Sequence, residues 1–267
     1  FASSEHGNIF DFVMKTQNLK FGEAVRYLAN LAGMQPYMFS KKDEEREKKW
    51  KEYSSIFNRY IEFYHSELLK NEIHLNVRNY LKNRSLNKDD VKKFKLGYVE
   101  KNPFFFNELK NDFSLEALEN TGLFYFDEKK KIHVERFRGR LIFPINNISG
   151  QPIALGGRIV EKSDYLAKYI NSPETNFFKK GSNLYNLDSA RKFSNKINNI
   201  YLVEGYMDVI GLSKNGVENS VANLGTSLTD KQILTLNQFF DDIIICFDGD
   251  ESGYKAAVRA AENSIRE

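Results

Sequence analysis

Two apolar runs near the end of the chain each lead directly into acidic residues. Residues 200–203 are followed by Glu204, and residues 243–247 are followed by Asp248 and Asp250. If the two runs form neighbouring parallel strands, their carboxyl ends lie at one crevice of the sheet. Carboxylates gathered there without a cation repel one another, and a hard divalent ion relieves that repulsion. We therefore predict that Glu204, Asp248 and Asp250 bind Mg²⁺ or Mn²⁺ as one cluster.

The second acidic segment has other interpretations that stay open at this point. Asp248-Gly249-Asp250 also suits a polar turn that caps the next helix, and an Asp-x-Asp taken alone is typical of a phosphatase nucleophile. Neither interpretation gives a reason for the Glu204-Gly205 pair after the other apolar run. We also expect Asp208, one helical turn after Glu204, to assist a second ion or to orient water.

Arginines alternate in an earlier part of the chain. Arg136, Arg138 and Arg140 are two residues apart, so an extended strand would present all three on one face. Their planar guanidinium groups, like that of Arg158, suit phosphate oxygens. A basic surface strand is a plausible explanation for one arginine and a weaker one for three on a face. We predict that these arginines bind the phosphates of a nucleic acid or nucleotide.

Helices and strands must position these groups. From residue 198 onward, apolar runs alternate with helical stretches, which is typical of βαβ units and a parallel sheet. Residues 141–145 and 152–155 flank a turn-rich segment and predict a β-hairpin. Aromatic residues at helical spacing between residues 50 and 68 predict a helix that buries them in the core. Residues 8–33 predict two short helices, and Asn8 can cap the first.

The composition restricts the class of protein. Lys and Arg number 39 against 36 Asp and Glu, so a net charge of +3 says little about partners. Hydrophobic residues make up 41%, enough for an ordinary core, and no apolar run approaches the roughly 20 residues that span a bilayer. The one cysteine, Cys246, excludes a disulfide within the chain and fits a reducing cytosol. No membrane is expected as a partner.

The acidic segments resemble a known module. The stretch from Tyr201 to Asp208, followed by Phe247-Asp248-Gly249-Asp250, resembles the Toprim module. That module is shared by DnaG-type bacterial primases, topoisomerases and some nucleases, and alone it does not choose among them.

The preceding segments are similar to the catalytic core of bacterial DNA primases of the DnaG type. The similar stretches are Tyr80 to Arg84, Phe94 with Leu96-Gly97-Tyr98, Arg136 to Ile145, Gly156-Gly157-Arg158, Lys168 to Thr175, and Asn223 to Thr229. They follow the order of the family and run through most of the chain. The resemblance implies an α/β fold, with an α+β N-terminal subdomain followed by a Rossmann-like Toprim parallel sheet and flanking helices.

The resemblance also implies an activity. Such an enzyme makes short RNA primers on single-stranded DNA from ribonucleoside triphosphates by metal-dependent nucleotidyl transfer, with Mg²⁺ or Mn²⁺ as its cofactor. The four acids are then catalytic, and the four arginines bind template or nucleotide. Lys168 and Asn171, which precede the Ser172-Pro173 turn, are expected to meet triphosphate and sugar. The implied location is the cytoplasm, at the nucleoid and replisome.

The resemblance predicts four segments. Residues 1–35 correspond to the tail of a zinc-binding module with connecting helices, 36–50 to a linker, 51–197 to the N-terminal subdomain of the catalytic core, and 198–267 to a C-terminally truncated Toprim domain. Ser3 stands where the last cysteine ligand of the zinc module is expected, so zinc is expected only in the full-length parent. A replicative helicase is expected to bind through a C-terminal domain that this chain lacks.

Two rival functions remain open. Another Toprim enzyme, a nuclease or a topoisomerase, would need no nucleotide site. A non-catalytic module that binds single-stranded DNA in the replisome would have no use for clustered carboxylates beside a polyanion. Metal-dependent binding of nucleoside triphosphates separates primer synthesis from the first alternative, and metal-independent DNA binding with no primer synthesis would favour the second.

Overall fold

The fold is described from a computed structural model that covers residues 8–34, 40–70, 75–161, 163–225 and 227–265. Ser3, at the expected end of the zinc module, lies outside these ranges. The chain divides into two units, residues 1–51 and 52–267.

The first unit contains the two short helices that the sequence predicts. Helix α1 spans Ile9–Thr16 and α2 spans Phe21–Leu31. The Asn8 side chain accepts hydrogen bonds from the backbone amides of Phe10 and Asp11, so it caps α1 as predicted. The rings of Phe10 and Phe21 lie 5.7 Å apart and join the two helices.

The residues from Lys41 onward in the predicted linker over 36–50 are helical. Helix α3 spans Lys41–Leu69, so the charged run forms its first turns. Opposite charges four residues apart support a helix, and Glu47 pairs with Lys51 at 2.7 Å. Neither Gly nor Pro interrupts residues 41–69. A mixed-charge run was therefore an exposed helix rather than a loop.

The first part of the second unit is built around the aromatic face of α3. Tyr53, Phe57, Tyr60, Tyr64 and Leu68 are all buried there, which confirms the core interpretation of the aromatic spacing. Four short helices and six strands surround this face. They are α4 (Leu75–Asn83), α5 (Lys88–Lys93), β1 (Gly97–Val99), α6 (Phe105–Leu109), α7 (Leu115–Asn120), β2 (Phe124–Asp127), β3 (Ile132–Glu135), β4 (Arg140–Asn146), β5 (Pro152–Ile159) and β6 (Tyr169–Asn171).

These strands make two antiparallel sheets. One has the order β1-β4-β5-β6, and the other is the β2-β3 hairpin. The β4-β5 pair is the predicted hairpin, with Ile142 opposite Gly157 and Phe143 opposite Gly156. Phe143 is fully buried, so this face of the sheet contributes to the core.

The end of the chain forms the predicted parallel sheet. Its elements are α8 (Leu187–Ala190), β7 (Asn199–Val203), α9 (Tyr206–Lys214), β8 (Ser220–Ala222), α10 (Asp230–Leu236), β9 (Asp242–Cys246) and α11 (Glu251–Ile265). The strand order is β8-β7-β9, and both pairs are parallel. Ile200, Leu202 and Val221 pack with Ile233 and Leu236 of α10 in one apolar cluster. The α/β fold class is confirmed.

None of the helices in the described ranges has both the length and the apolar character needed to cross a bilayer.

Candidate active site

The acidic residues lie at the carboxyl edge of the parallel sheet. Glu204 directly follows β7, and Asp248 comes two residues after the end of β9. These strands are neighbours, with Val203 paired to Cys246 at their ends. The Glu204 carboxylate accepts a hydrogen bond from the Asp248 backbone amide at 2.9 Å. The topology therefore brings these two acids together, and both are exposed to solvent.

Gly253 makes this close approach possible. A Cβ atom added to Gly253 would lie 2.1 Å from the Asp248 carbonyl oxygen and 2.9 Å from Glu204 Oε1. Its backbone amide donates to Asp250 Oδ1 at 2.8 Å. Gly253 was not among the residues predicted from the sequence. The signal was a glycine in the first turn of a helix, where it costs stability unless close packing requires it.

Asp208 lies in the first turn of α9. Its Oδ2 accepts from the Gly205 backbone amide at 3.0 Å, which caps the helix. Although the residue is exposed, the protein around its carboxyl group raises its pKa above the usual value, and the negative charge of Asp248 raises it further. The positive charge of Arg84 opposes that shift. Asp208, Asp248 and Arg84 therefore share one electrostatic environment.

The predicted cluster of three metal-binding carboxylates is only partly assembled. Within the described residues, no three His, Cys, Asp or Glu side chains converge closely enough to hold an ion. Asp250 instead accepts from the Ser252 hydroxyl and the Gly253 amide at the start of α11. Oxygen donors from one or two carboxylates, completed by water and phosphate, are the usual set for Mg²⁺. Glu204 and Asp248 fit that set.

The strand that was predicted to carry three arginines is not formed. Residues 136–139 make a turn between β3 and β4, and only Arg140 belongs to a strand. Gly139 has a φ of +70°, a conformation that ends the extended run and that glycine adopts readily. Alternation along a strand therefore does not place Arg136, Arg138 and Arg140 on one face.

Each of these arginines has a separate environment. Arg136 is half-buried and donates to the Gly122 carbonyl at 2.7 Å. Arg138 is exposed and donates to the Tyr125 hydroxyl at 2.9 Å, while Arg136 lies over the Tyr125 ring at 5.2 Å. Arg140 is buried and donates to the backbone carbonyl of residue 167 at 2.9 Å. Two of the three thus flank one tyrosine, and the third supports a loop.

Arg158 is buried between two aromatic rings. Its guanidinium carbon lies 5.0 Å from the ring centres of both Tyr80 and Tyr169, and Nη1 donates to the Tyr169 hydroxyl at 2.5 Å. Arg84 lies 6.0 Å from the Tyr80 ring on the same cluster. No role was predicted for Tyr80, Arg84 or Tyr169, because residues this far apart in sequence carry no spacing signal.

Lys168 and Asn171 have different environments although they are neighbours in sequence. Lys168 is exposed, with Nζ 6.0 Å from the Tyr169 ring, so its ammonium group is accessible to a ligand. Asn171 uses both ends of its amide within the protein. Nδ2 donates to the Leu224 carbonyl at 2.8 Å, and Oδ1 accepts from the Tyr206 hydroxyl at 2.5 Å.

Tyr206 links the parallel sheet to the antiparallel sheet. It begins α9 directly after Glu204-Gly205, and its ring stacks on Phe143 with centroids 5.0 Å apart. A Cβ atom at Gly156 would lie 2.3 Å from Tyr206 Cζ, so the ring rests on bare backbone of β5. Asn171, Tyr206 and Gly156 therefore fix the start of α9, and with it the acids, against β5 and β6.

Comparison with known proteins identifies both halves of the second unit. Residues 63–191 match the model of the DNA primase catalytic core N-terminal domain, and residues 198–267 match the Toprim domain. The chain is 37% identical to a DNA primase of Neisseria meningitidis over 99% of its own length. It spans 45% of that relative.

Solved primase structures share the fold. A DNA primase domain from Pseudomonas aeruginosa is 38% identical, with a TM-score of 0.73 over 79% of this chain and 66% of that one. A DnaG primase catalytic domain bound to single-stranded DNA is 30% identical, with a TM-score of 0.73 over 82% of this chain and 68% of that one. With the two family matches in the order of the primase core and the acids at the edge of its Toprim sheet, the chain belongs to the DnaG-type DNA primase family.

Proposed function

We propose that the protein containing this chain makes short RNA primers on single-stranded DNA from ribonucleoside triphosphates. The observation that carries the proposal is the meeting of Glu204 and Asp248 at adjacent strand ends, beside the electrostatic environment of Asp208 and Arg84. Curated relatives are DNA primases, and one similar structure is bound to single-stranded DNA. The match over residues 63–191 favours this function over a topoisomerase or a nuclease.

A divalent metal ion belongs to the proposal, because Toprim primases generally use one. Glu204 and Asp248 would hold the ion together with water. Asp208 would contribute a further negative charge near the same ion. Asp250 would instead support the start of α11. When bound, Mg²⁺ or Mn²⁺ supplies positive charge to the attacking oxygen and to the triphosphate. Gly253 keeps the backbone close enough for both carboxylates to reach one position.

The cationic residues have separate roles in the proposed reaction. Lys168 is exposed beside Tyr169 and would bind the triphosphate as a mobile positive charge. Arg136 and Arg138 flank Tyr125, an arrangement that suits a phosphate together with a stacked base. Arg158 holds Tyr169 in place, and Asn171 holds Tyr206, so both act by positioning other groups. Arg140 supports the loop that carries Lys168.

A primer-synthesis assay tests the proposal. The complete natural protein is incubated with single-stranded DNA, labelled ribonucleotides and Mg²⁺, and labelled products are separated by length. Short RNA products that need template, metal and all required nucleotides are the expected result. DNA binding without synthesis under any metal would indicate a binding module instead. Cleavage of the DNA without nucleotide incorporation would indicate a Toprim nuclease. Placement at the replisome, with a helicase as partner, remains part of the same proposal.

A further inference from the structure

A cavity of about 490 Å³ lies between helix α3 and helix α8, and none of the four predicted acids lines it. We call it the α3–α8 cavity. The lining residues that matter below are Glu62, Lys95, Asn146, Tyr185, Asn186 and Asp188. Its volume falls within the roughly 300–1,000 Å³ that small-molecule sites occupy. Its walls come from α3 and the β4-β5 hairpin on one side and from α8 on the other, so a bound ligand would contact both.

The α3–α8 cavity contains a buried carboxylate. Asp188 is only 8% exposed, and its Oδ2 accepts a hydrogen bond from Asn146 Nδ2 at 3.0 Å. Among the residues that the structure describes, no Lys, Arg or His lies within ion-pair distance of Asp188. Buried charges in proteins are normally paired with an opposite charge, because removing them from water is costly. Asp188 therefore presents an uncompensated negative charge to the cavity.

Three cations also line the cavity, but each is already paired with another acid. The pairs are Arg59 with Asp112 at 2.7 Å, Lys93 with Glu218 at 2.5 Å, and Lys95 with Glu62 at 2.6 Å. These pairs are partly exposed, so they lie toward the solvent side of the cavity rather than beside Asp188. A ligand that meets Asp188 would therefore not have to displace a bound protein cation.

Two amide oxygens accompany the carboxylate. Asn146 uses its nitrogen to donate to Asp188, and Asn186 Nδ2 donates to the Ser220 carbonyl at 2.9 Å. Within the described part of the chain, neither Oδ1 atom accepts a hydrogen bond from a protein group. The cavity thus offers a carboxylate and two amide oxygens, all of them acceptors. An ammonium group with three N–H donors, or a guanidinium group with five, is the complementary ligand.

One wall of the cavity is joined to the residues that position the catalytic acids. The Tyr185 backbone amide donates to the Ala222 carbonyl at the end of β8 at 2.9 Å. The Tyr185 ring meets the Tyr206 ring edge-on, with centroids 4.7 Å apart, and Tyr206 begins α9. Burial raises the pKa of Tyr185 above its usual value, and Tyr206 and the charge of Asp188 raise it further. Occupation of the cavity is therefore linked to the start of α9.

We propose that the α3–α8 cavity binds a small molecule that carries an ammonium or guanidinium group. The cationic group donates to the Asp188 carboxylate and to the amide oxygen of Asn186. The rest of the molecule lies along α3, beside the pair of Glu62 and Lys95. The proposal does not rest on primer synthesis, because no residue that binds the ligand belongs to the candidate active site.

Isothermal titration calorimetry of this chain with spermidine, agmatine and arginine tests the proposal. Salt at roughly 150 mM screens loose pairing with surface acids. At least one of the three should bind in a one-to-one complex with a Kd below about 1 mM. Glutarate, which carries no cationic group, should not bind. Asp188→Asn keeps the size of the side chain but removes its charge, and should weaken binding at least about tenfold. If none of the three amines binds the parent chain, the proposal is overturned.

Two controls locate the binding. Asp230 also lies in the first turn of a helix but is exposed and outside the cavity, so Asp230→Asn should keep the parent affinity. Amines could instead pair with the exposed acids of the active site, so Glu204→Gln is titrated as well and should also keep it. Weaker binding by Glu204→Gln, with unchanged binding by Asp188→Asn, would overturn the cavity as the site and leave the proposed function standing.

A second measurement needs no variant. Hydrogen exchange of the unaltered chain is followed by mass spectrometry with and without the amine that binds most tightly. Slower exchange is expected in residues 58–62, 93–95 and 185–189, because these segments line the cavity from α3, from the end of α5 and from α8. Protection confined to segments that do not line the cavity would overturn the proposal, even if Asp188→Asn failed to fold.

Discussion

The two sheets of the second unit present their charged residues in opposite ways. At the edge of the parallel sheet, Glu204 and Asp248 are exposed and their positions follow from strand ends. In the antiparallel region, Arg140 and Arg158 are buried and bonded to other protein groups. In the function proposed above, the charged residues of one region bind ligand and those of the other build the site. Charge type alone does not reveal which use applies, whereas burial and bonding do.

The largest effect is expected at the parallel sheet. Asp248→Asn removes the negative charge but keeps the shape of the side chain. Primer synthesis should fall roughly 100- to 1000-fold, because Asp248 would hold the ion that stabilises transition-state charge, and loss of such stabilisation has effects of this size. Asp242→Asn is the matched control, because Asp242 is an exposed acid at the opposite end of the same strand. Equal activity of the two variants would remove Asp248 from the active site.

The next effect concerns the close contact at Gly253. Gly253→Ala forces a methyl group against the Asp248 carbonyl and should destabilise the fold by about 1–3 kcal/mol. Gly211→Ala, in the middle of α9 with open space around it, should instead stabilise by roughly 0.5–1 kcal/mol. Thermal unfolding of both variants checks the signs. A stabilising Gly253→Ala would mean that the acids do not depend on this packing.

The meeting of Glu204 and Asp248 at strand ends was predictable, because it depends only on the topology of the sheet. Alternating apolar strands and helices fixed the parallel sheet, and the acids that follow β7 and β9 had to meet at its carboxyl edge. The arginines were harder to predict. Their alternation indicated a strand, but Gly139 turns the chain between two sheets, and a positive φ is not encoded by spacing.

Long-range partners are the features that the sequence did not reveal. Asn171 was predicted to contact nucleotide, yet both ends of its amide bind groups that follow by 35 and 53 residues. The helical conformation of the predicted linker has a local cause, since the charges of residues 41–50 stabilise a helix as readily as they solvate a loop. Hydrogen bonds to residues distant in sequence therefore determine the role of a polar side chain, and residue type alone does not show it.

The buried Arg140 of β4 and the exposed Arg138 of the preceding turn give a direct comparison. Arg140→Ala leaves the carbonyl of residue 167 without its donor and should cost about 1–3 kcal/mol of unfolding free energy. Arg138→Ala, at an exposed site, should stay within about 0.5 kcal/mol of the parent. Arg138→Ala should instead lower the salt slope of DNA binding by about 0.7 and weaken all template sequences alike. Urea unfolding measures the structural role of Arg140, and fluorescence anisotropy measures the DNA-binding role of Arg138. A large loss of stability in Arg138→Ala together with none in Arg140→Ala would refute both roles.

A smaller effect is expected where the two sheets are joined. Tyr206→Phe keeps the ring on Phe143 and removes only the hydroxyl that donates to Asn171. The loss of one such hydrogen bond is worth about 0.5–1.5 kcal/mol. We expect kcat for primer synthesis to fall several-fold while template affinity stays constant. Tyr254→Phe, at a tyrosine that is 71% exposed, is the control. A fall in template affinity alone would mean that this contact does not position the acids.

The smallest effect contrasts a buried acid with the exposed ones. Burial raises the pKa of Glu135 above its usual value, although hydrogen bonds from Tyr64 and the Phe106 amide oppose the shift. The folded chain therefore holds a proton on Glu135 that the unfolded chain releases once the pH exceeds the ordinary pKa. Between that value and the raised folded pKa, the unfolded state binds fewer protons, so stability falls as pH rises. Below the ordinary pKa the contribution is fully present.

Glu135→Gln removes this titration while keeping the size of the side chain. The unfolding free energy of the parent, relative to that of the variant, should fall as pH rises from about 4 to about 7. Urea unfolding at each pH measures it, and other acids cancel because both proteins share them. Asp112→Asn is the control, since Asp112 is an exposed acid paired with Arg59 at 2.7 Å. A difference that moves in favour of the parent as pH rises would show that hydrogen bonding outweighs burial at Glu135, and that the folded chain favours the charged form of this acid.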